Sequence, residues 1–416
     1  MHHYVVEGYV LPNQTHIYWT IMIVLYPYIT GIVAGAFIIS SLYHVFHKEV
    51  LKPVSRFAML MALAFLLFAP LPLLMHLGHP ERALNIMFTP NVTSAMAGFG
   101  FIYSAYLLIL VVEIWLLYRA DIALLATSAR TPWMRRVYWV LALGVTDVSD
   151  EAKALDRKVM QFLAAIGIPA ACALHGYVGF LFGAIKANPW WASPLMPVVF
   201  LMSAILSGIA MVLLCYLIAQ WVTKRPVDTP CVDALVSYAW MFLMIDVALE
   251  LLELVNHAYM ANHDWQILRE LLTQKLYVSM FVIQFFVGSA IPFALLGALV
   301  VYRHAIGDRA RHGIAFAASL LLLVQVLAMR WNVVIGGQMF SKSFRGFLTF
   351  DVDLAGREGL VAAVLLFSLP FLVMLIFSRV LPFWGPVSSA PGRWLEPEPA
   401  EHVSLRDHSS FTDVGL

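Results

Sequence analysis

Asp246, Glu250, Glu253 and His257 lie in the stretch Ala234–Met260, which is otherwise mostly apolar and long enough to cross a bilayer. Counted from Asp246 their offsets are 0, 4, 7 and 11. At about 100° per residue, that spacing gathers the four side chains into a sector of roughly 60° on one helix face. They extend along about 16 Å of axis, around half the hydrocarbon thickness. An acidic residue at mid-membrane costs about 2.5–3.5 kcal/mol on insertion, so this stripe faces protein or water and never lipid. Carboxylates and an imidazole spaced a turn apart can relay protons, or form the polar side of a quinone path. The competing reading is an inert stripe hydrogen-bonded to neighbouring helices. The stripe covers half of its helix, so a complete path needs a second element. Glu113, six residues before Arg119 on another apolar stretch, is the candidate.

A second polar group surrounds the ends of the apolar stretches. Asn13 and His16 stand just before the first one. His76, His79, Glu81 and Arg82 follow the second in MHLGHPER. Asn262, His263 and Asp264 follow the acidic stripe, and Arg330, Asn332 and Gln338 punctuate RWNVVIGGQ. His175 and Tyr177 lie within an apolar span. Each one alone is compatible with a solvated interfacial side chain. Together they outline a polar, aromatic-rimmed pocket near one membrane surface.

The elements that must position these residues follow from composition. The chain has 416 residues, 61% hydrophobic and 12% charged. Soluble domains carry about 25% charged residues, so the deficit points to a polytopic membrane protein. Nine spans are expected: Ile17–Tyr43, Phe57–Leu77, Ser94–Tyr118, Val159–Ile185, Pro197–Val222, Ala234–Met260, Leu276–Val301, Ile314–Ile335 and Leu360–Pro382. Trp133–Val145 is apolar but too short to span, and reads as interfacial. The fold class is therefore all-α and polytopic, with two related four-helix bundles and one extra helix. Gly31 and Gly35, and Gly179 and Gly183, supply small-residue seams for close helix approach. Ile32–Gly35 (IVAG) echoes Ile205–Gly208 (ILSG), in keeping with an internal repeat.

Of the 26 Lys and Arg, 18 lie on or nearest the connections after helices 1, 3, 5 and 7 and the C-terminal tail. The positive-inside rule then places the N-terminus outside and the C-terminus in the cytoplasm of a bacterial or archaeal cell membrane. Residues 1–16 form an external segment without a removable signal pattern. Residues 17–383 form the transmembrane domain, and 384–416 a disordered cytoplasmic tail. A net charge of +1 gives no reason to expect nucleic acid. Three cysteines, Cys172, Cys215 and Cys231, cannot hold an iron–sulfur cluster, which takes four ligands. No zinc spacing is present. A secondary transporter remains a second reading, carried by the repeat and the buried carboxylates. A membrane cytochrome b is a third. It needs paired histidines at equal depth, where only His175 and His257 lie inside spans.

GIVAGAF (31–37), HLGHPER (76–82), YVGFLFG (177–183) with NPWWASPLMPVVFLMSA (188–204), and RWNVVIGGQ (330–338) occur in an order that resembles the polysulfide reductase/NrfD superfamily. The likeness includes the hydrogenase-, dissimilatory sulfite reductase- and alternative complex III-associated branches, and it covers roughly residues 10–360. It implies an integral subunit without haem or iron–sulfur cluster of its own. Such a subunit binds menaquinone or ubiquinone near the outer surface. It exchanges electrons with a docked cysteine-rich iron–sulfur subunit, in complexes that also hold a molybdopterin or multihaem cytochrome subunit. By the same resemblance Asn13, His16 and Tyr177 match quinone-contacting positions, with His76, Arg82 and His175 around them. His76 stands where the family pattern leads one to expect an aspartate.

Overall fold

The computed structural model describes residues 6–11, 13, 15–129, 131–260 and 264–384. Asn262, His263 and the expected tail from residue 385 lie outside these. Among the described residues, nine helices are long and apolar enough to cross a membrane. They are α1 (Ile21–His44), α2 (Glu49–His76), α3 (Ala95–Ser128), α4 (Asp150–Gly183), α5 (Met196–Thr223), α6 (Thr229–Met260), α7 (Tyr277–Val301), α8 (Asp308–Gln338) and α9 (Leu360–Val380). Among the described residues the fold is all-α apart from one antiparallel pair, β1 (Val6–Tyr9) with β2 (Arg345–Leu348), in which Gly8 faces Gly346. Trp133–Val145 falls on a short helix, Pro132–Leu141.

α1 to α4 pack as one set and α5 to α8 as another, with α1 against α5 at the seam and α9 on α2. The seam is glycine on glycine. A Cβ added at Gly35 would stand 2.6 Å from the Ala204 carbonyl oxygen and 2.7 Å from Gly208 Cα. The two echoing segments thus meet each other at the crossing. Backbone cannot yield as a flexible side chain can, so Gly35→Ala should lower stability by about 1–3 kcal/mol. Thermal unfolding in detergent reads this, against Gly78→Ala as a control, since no atom lies within 4 Å of a Cβ there.

Two expected boundaries move furthest. α3 continues ten residues past Tyr118, and α4 starts at Asp150. At about 1.5 Å per residue these 34-residue helices measure about 51 Å and outreach the hydrocarbon layer. Their extensions contain charges that ion pairs satisfy. Arg119 Nε donates to Asp156 at 2.6 Å, its Nη1 to the Asp147 carbonyl at 2.8 Å, and Arg56 Nη1 to Asp121 at 2.7 Å. Ser149 caps α4 by accepting from the Ala152 N–H, with Asp150 and Glu151 in the first turn. Glu113 therefore sits in the middle of α3, not near its end.

The starts of α1, α3, α5, α7 and α9 share one face with the ends of α2, α4, α6 and α8. We call it the near face, and the opposite one the far face. Pro70 interrupts α2, leaving Leu71–His76 as a separate terminal turn. That turn carries His76 to the start of α1.

Candidate functional site

The acidic stripe of α6 turns towards α7 and α8. Asp246 is fully buried and Glu250 is 7% exposed. Both carboxylates accept from one amide, Gln325 Nε2 on α8, at 3.3 and 3.2 Å. Further along α8 towards the near face, Arg330 is also fully buried. Its Nη2 donates to Ser203 Oγ at 2.7 Å, His175 Nε2 at 3.1 Å and the Phe200 carbonyl at 3.2 Å, and its guanidinium lies 4.0 Å over the Phe200 ring. The Arg330 charge interacts electrostatically with Asp246 and Glu250. A cation opposite two carboxylates is what makes their burial tolerable, because buried charges persist only when paired. His175 belongs to this network as an acceptor of Arg330, and it packs on Gly31 of α1. An imidazole whose Nε2 is so engaged is poorly placed to ligate haem.

Towards the near face the network continues along α7. Asn332 donates to Gln284 at 2.6 Å and accepts from Ser279 at 2.6 Å. Ser279 and Gln284 are five residues apart, which in an α-helix sets them about 140° apart. Tyr277–Ala290 is instead wound as a π-helix. Its wider i→i+5 turn brings both onto the α8 side, and Ser289 follows by bonding the Gln284 carbonyl at 2.8 Å. Glu250, Glu253, His257, Gln284, Asn332 and Trp190 line a cavity of about 50 Å³. One water needs roughly 10–15 Å³ of such space, so the cavity has the size of a few waters and not of a quinone ring. His257 Nε2 lies 3.3 Å from Glu253, both side chains 13% exposed, and stacks on Trp190 at 6.0 Å. Trp190 is held by the Asn332 carbonyl at 3.0 Å.

The second group gathers around the start of α1. His76 Nδ1 lies 2.7 Å from Glu358, and Thr20 Oγ1 donates to the same oxygen at 2.6 Å. Glu358 thus supplies the carboxylate at the place where the chain itself has histidine. Arg357 beside it donates to the Leu74 and Leu77 carbonyls, fixing the end of α2. His16 is half-buried, bonded to Thr15 and 4.1 Å from the Tyr18 ring. Trp19 stacks on Trp191 at 5.0 Å, and its backbone N–H donates to Gln338 Oε1. Tyr177 bonds the Ala95 carbonyl at 2.7 Å over Gly98. Tyr26 packs on the neighbouring Phe99 at 5.4 Å and buries a hydroxyl with no protein partner among the described residues. Asn13 and Arg82 are exposed.

Glu113 is brought to neither group. It is fully buried on α3, beside Tyr106, with both carboxylate oxygens unpartnered among the described residues. α3 packs on α4 and α2, whereas α6 packs on α5, α7 and α8.

A family model described as "Polysulphide reductase, NrfD" matches residues 10–342. The chain belongs to the NrfD family. A selenate reductase subunit of Mesobacillus selenatarsenatis is 28% identical to this NrfD chain over 325 residues, 76% of the chain and 73% of that protein. A putative dimethyl sulfoxide reductase membrane subunit of Halobacterium salinarum is 29% identical over 313 residues, covering 74% and 66%. The Hdr-like menaquinol oxidoreductase integral membrane subunit of Archaeoglobus fulgidus is 25% identical over 328 residues, covering 78% and 72%. Family and helices together make the NrfD chain a multi-pass membrane protein.

Gln325, Gln284, Glu358 and Tyr26 escaped the sequence reading. Amides and a phenol in apolar stretches carry no charge to flag them. Glu358 lies in a loop, 282 residues from its histidine.

Proposed function

We propose that this chain is the quinone-reactive membrane subunit of a respiratory oxidoreductase complex, exchanging electrons with a docked iron–sulfur or multihaem partner and moving protons through α6. The names of its relatives, subunits of selenate, dimethyl sulfoxide and menaquinol oxidoreductases, support the setting. The observation that carries the reading is the buried cluster of His175 and Arg330 with Asp246, Glu250 and Gln325, joined by the electrostatic interaction of Arg330 with the two carboxylates and opening on the water-sized cavity towards the near face.

The donor set at the start of α1 fits a quinone headgroup: imidazoles at His16 and His76, a carboxylate at Glu358, and the buried hydroxyl of Tyr26 beside aromatic walls. A bound quinone supplies the two-electron, two-proton couple. His16 would hold one of its oxygens, Tyr177 would reach the other by turning its hydroxyl from the Ala95 carbonyl to which it donates in this structure, and Tyr26 offers a buried hydroxyl with no protein partner among the described residues. The His76–Glu358 pair is built to hold a proton at Nδ1 and pass it on, each side chain being partly open, 23% and 28% exposed. Glu253 and His257 exchange protons with the surface, and Glu250 with the cavity.

His16→Ala and Tyr26→Phe should each slow quinone turnover by roughly 100-fold while the complex assembles normally. Tyr177→Phe should slow turnover as well, and also loosen the α3 contact. Steady-state kinetics with a soluble quinol, with subunit stoichiometry measured in parallel, decide the matter. Normal turnover in both His16→Ala and Tyr177→Phe removes the quinone from this pocket.

A further inference from the structure

On the far face, away from the two polar groups of the candidate site, a groove of about 1310 Å³ opens between the end of α5 and the start of α8. Its lining divides by chemistry. Lys224, Arg225 and Arg309 form a cationic rim, with His312 beside them. Ile218, Val222 and Phe316, 42%, 64% and 40% exposed, form an apolar wall on the spanning helices, with Trp221 beside them. From these observations we infer that the groove binds an anionic phospholipid, with its phosphodiester at the rim and an acyl chain along the wall.

The charge argument is one of compensation. Among the described residues Lys224, Arg225 and Arg309 make no ion pair, although three carboxylates lie nearby in the chain. Those carboxylates are committed elsewhere. Asp228 caps the Cys231 N–H at 2.9 Å, and Asp233 and Asp308 lie 3.3 and 3.6 Å from Arg311. The protein therefore neutralises Arg311 and leaves the rim cations for an outside anion. Basic pockets between helices at a membrane surface suit phosphate headgroups.

Free phosphate would use the rim but not the wall. A detached anion gains nothing from exposed Phe316 and Ile218 on segments that face acyl chains. Gln220 sharpens the choice of headgroup. It is only 6% exposed, lines the groove, and its Oε1 has no protein partner among the described residues. An amide oxygen accepts from a hydroxyl, which phosphatidylglycerol carries and phosphatidic acid lacks at that position. A choline headgroup offers no donor and sets a cation beside cations. The expected ligand is thus a phosphodiester lipid with a hydroxyl-bearing headgroup.

Native mass spectrometry of the full chain in detergent tests this, with dioleoyl phosphatidylglycerol, dioleoyl phosphatidylcholine, phosphatidic acid and inorganic phosphate added separately and in competition. The wild type should hold phosphatidylglycerol at least tenfold more tightly than phosphatidylcholine. Lys224→Gln, Arg225→Gln and Arg309→Gln combined should weaken it roughly 100-fold. Gln220→Leu should bring phosphatidylglycerol down to the level of phosphatidic acid. Equal binding of the two dioleoyl lipids by the wild type overturns the inference without reference to any variant. Displacement of the lipid by millimolar inorganic phosphate overturns it in favour of a free-anion site. Unchanged binding in the triple variant overturns it too.

Discussion

Arg330→Met should abolish quinone-linked turnover, by at least 100-fold, and lower the thermal stability of the protein. The guanidinium is fully buried and joins α8 to α4 and α5 through His175, Phe200 and Ser203. It is also the cation facing Asp246 and Glu250. Removing one partner of a buried ionic group leaves the other uncompensated, at a cost of about 3–5 kcal/mol. Stability and function can be separated. Adding Asp246→Asn and Glu250→Gln to Arg330→Met removes the uncompensated charges, and much of the lost stability should return. Turnover should not return, because no ionisable group then stands between His175 and the cavity. Thermal unfolding in detergent and quinol kinetics on the same preparations read the two effects. A triple variant that regains turnover along with stability makes the network a structural brace.

The helices were legible because a membrane span is a composition before it is a shape. Charges are excluded over about 20 residues, and all nine apolar stretches are helices in the structure. Their ends were less legible. α3 and α4 leave the apolar layer as continuous helices, and what continues them is long-range pairing of Arg119 with Asp156 and of Arg56 with Asp121, which no local pattern shows. The acidic stripe could be read from helical periodicity, since Asp246 and Glu250 stand a turn apart and face one amide. Its extension along α7 could not, because Ser279 and Gln284 share a face only in the wider π-helix. His76 was legible as an oddity and not as half of a pair. Its carboxylate comes from Glu358, and only the packing of α9 on α2 brings the two together.

Glu250→Gln should lower electron transfer and proton uptake together, by 100-fold or more, while folding survives. Glu250 is the carboxylate that touches both halves of the site, bonding Gln325 within the network and lining the water-sized cavity with Glu253 and His257. The amide keeps the shape and an acceptor for Gln325 but cannot release a proton, and general acid–base groups typically contribute 10²- to 10⁴-fold. Stability should hold or rise, since a buried charge is removed at nearly constant volume. Glu113→Gln is the companion measurement. Glu113 has no contact with this network, yet its buried, unpartnered carboxylate is the ionisable group α3 offers midway to the far face. In sealed vesicles its loss should slow proton uptake about tenfold, with electron transfer following only as far as the two are coupled. Detergent removes the barrier between the faces and should restore electron transfer in Glu113→Gln but not in Glu250→Gln. Wild-type rates of both processes in both variants would reduce the stripe to a structural feature of α6. Impairment confined to Glu250→Gln would confine the proton route to the near face and leave Glu113 outside it.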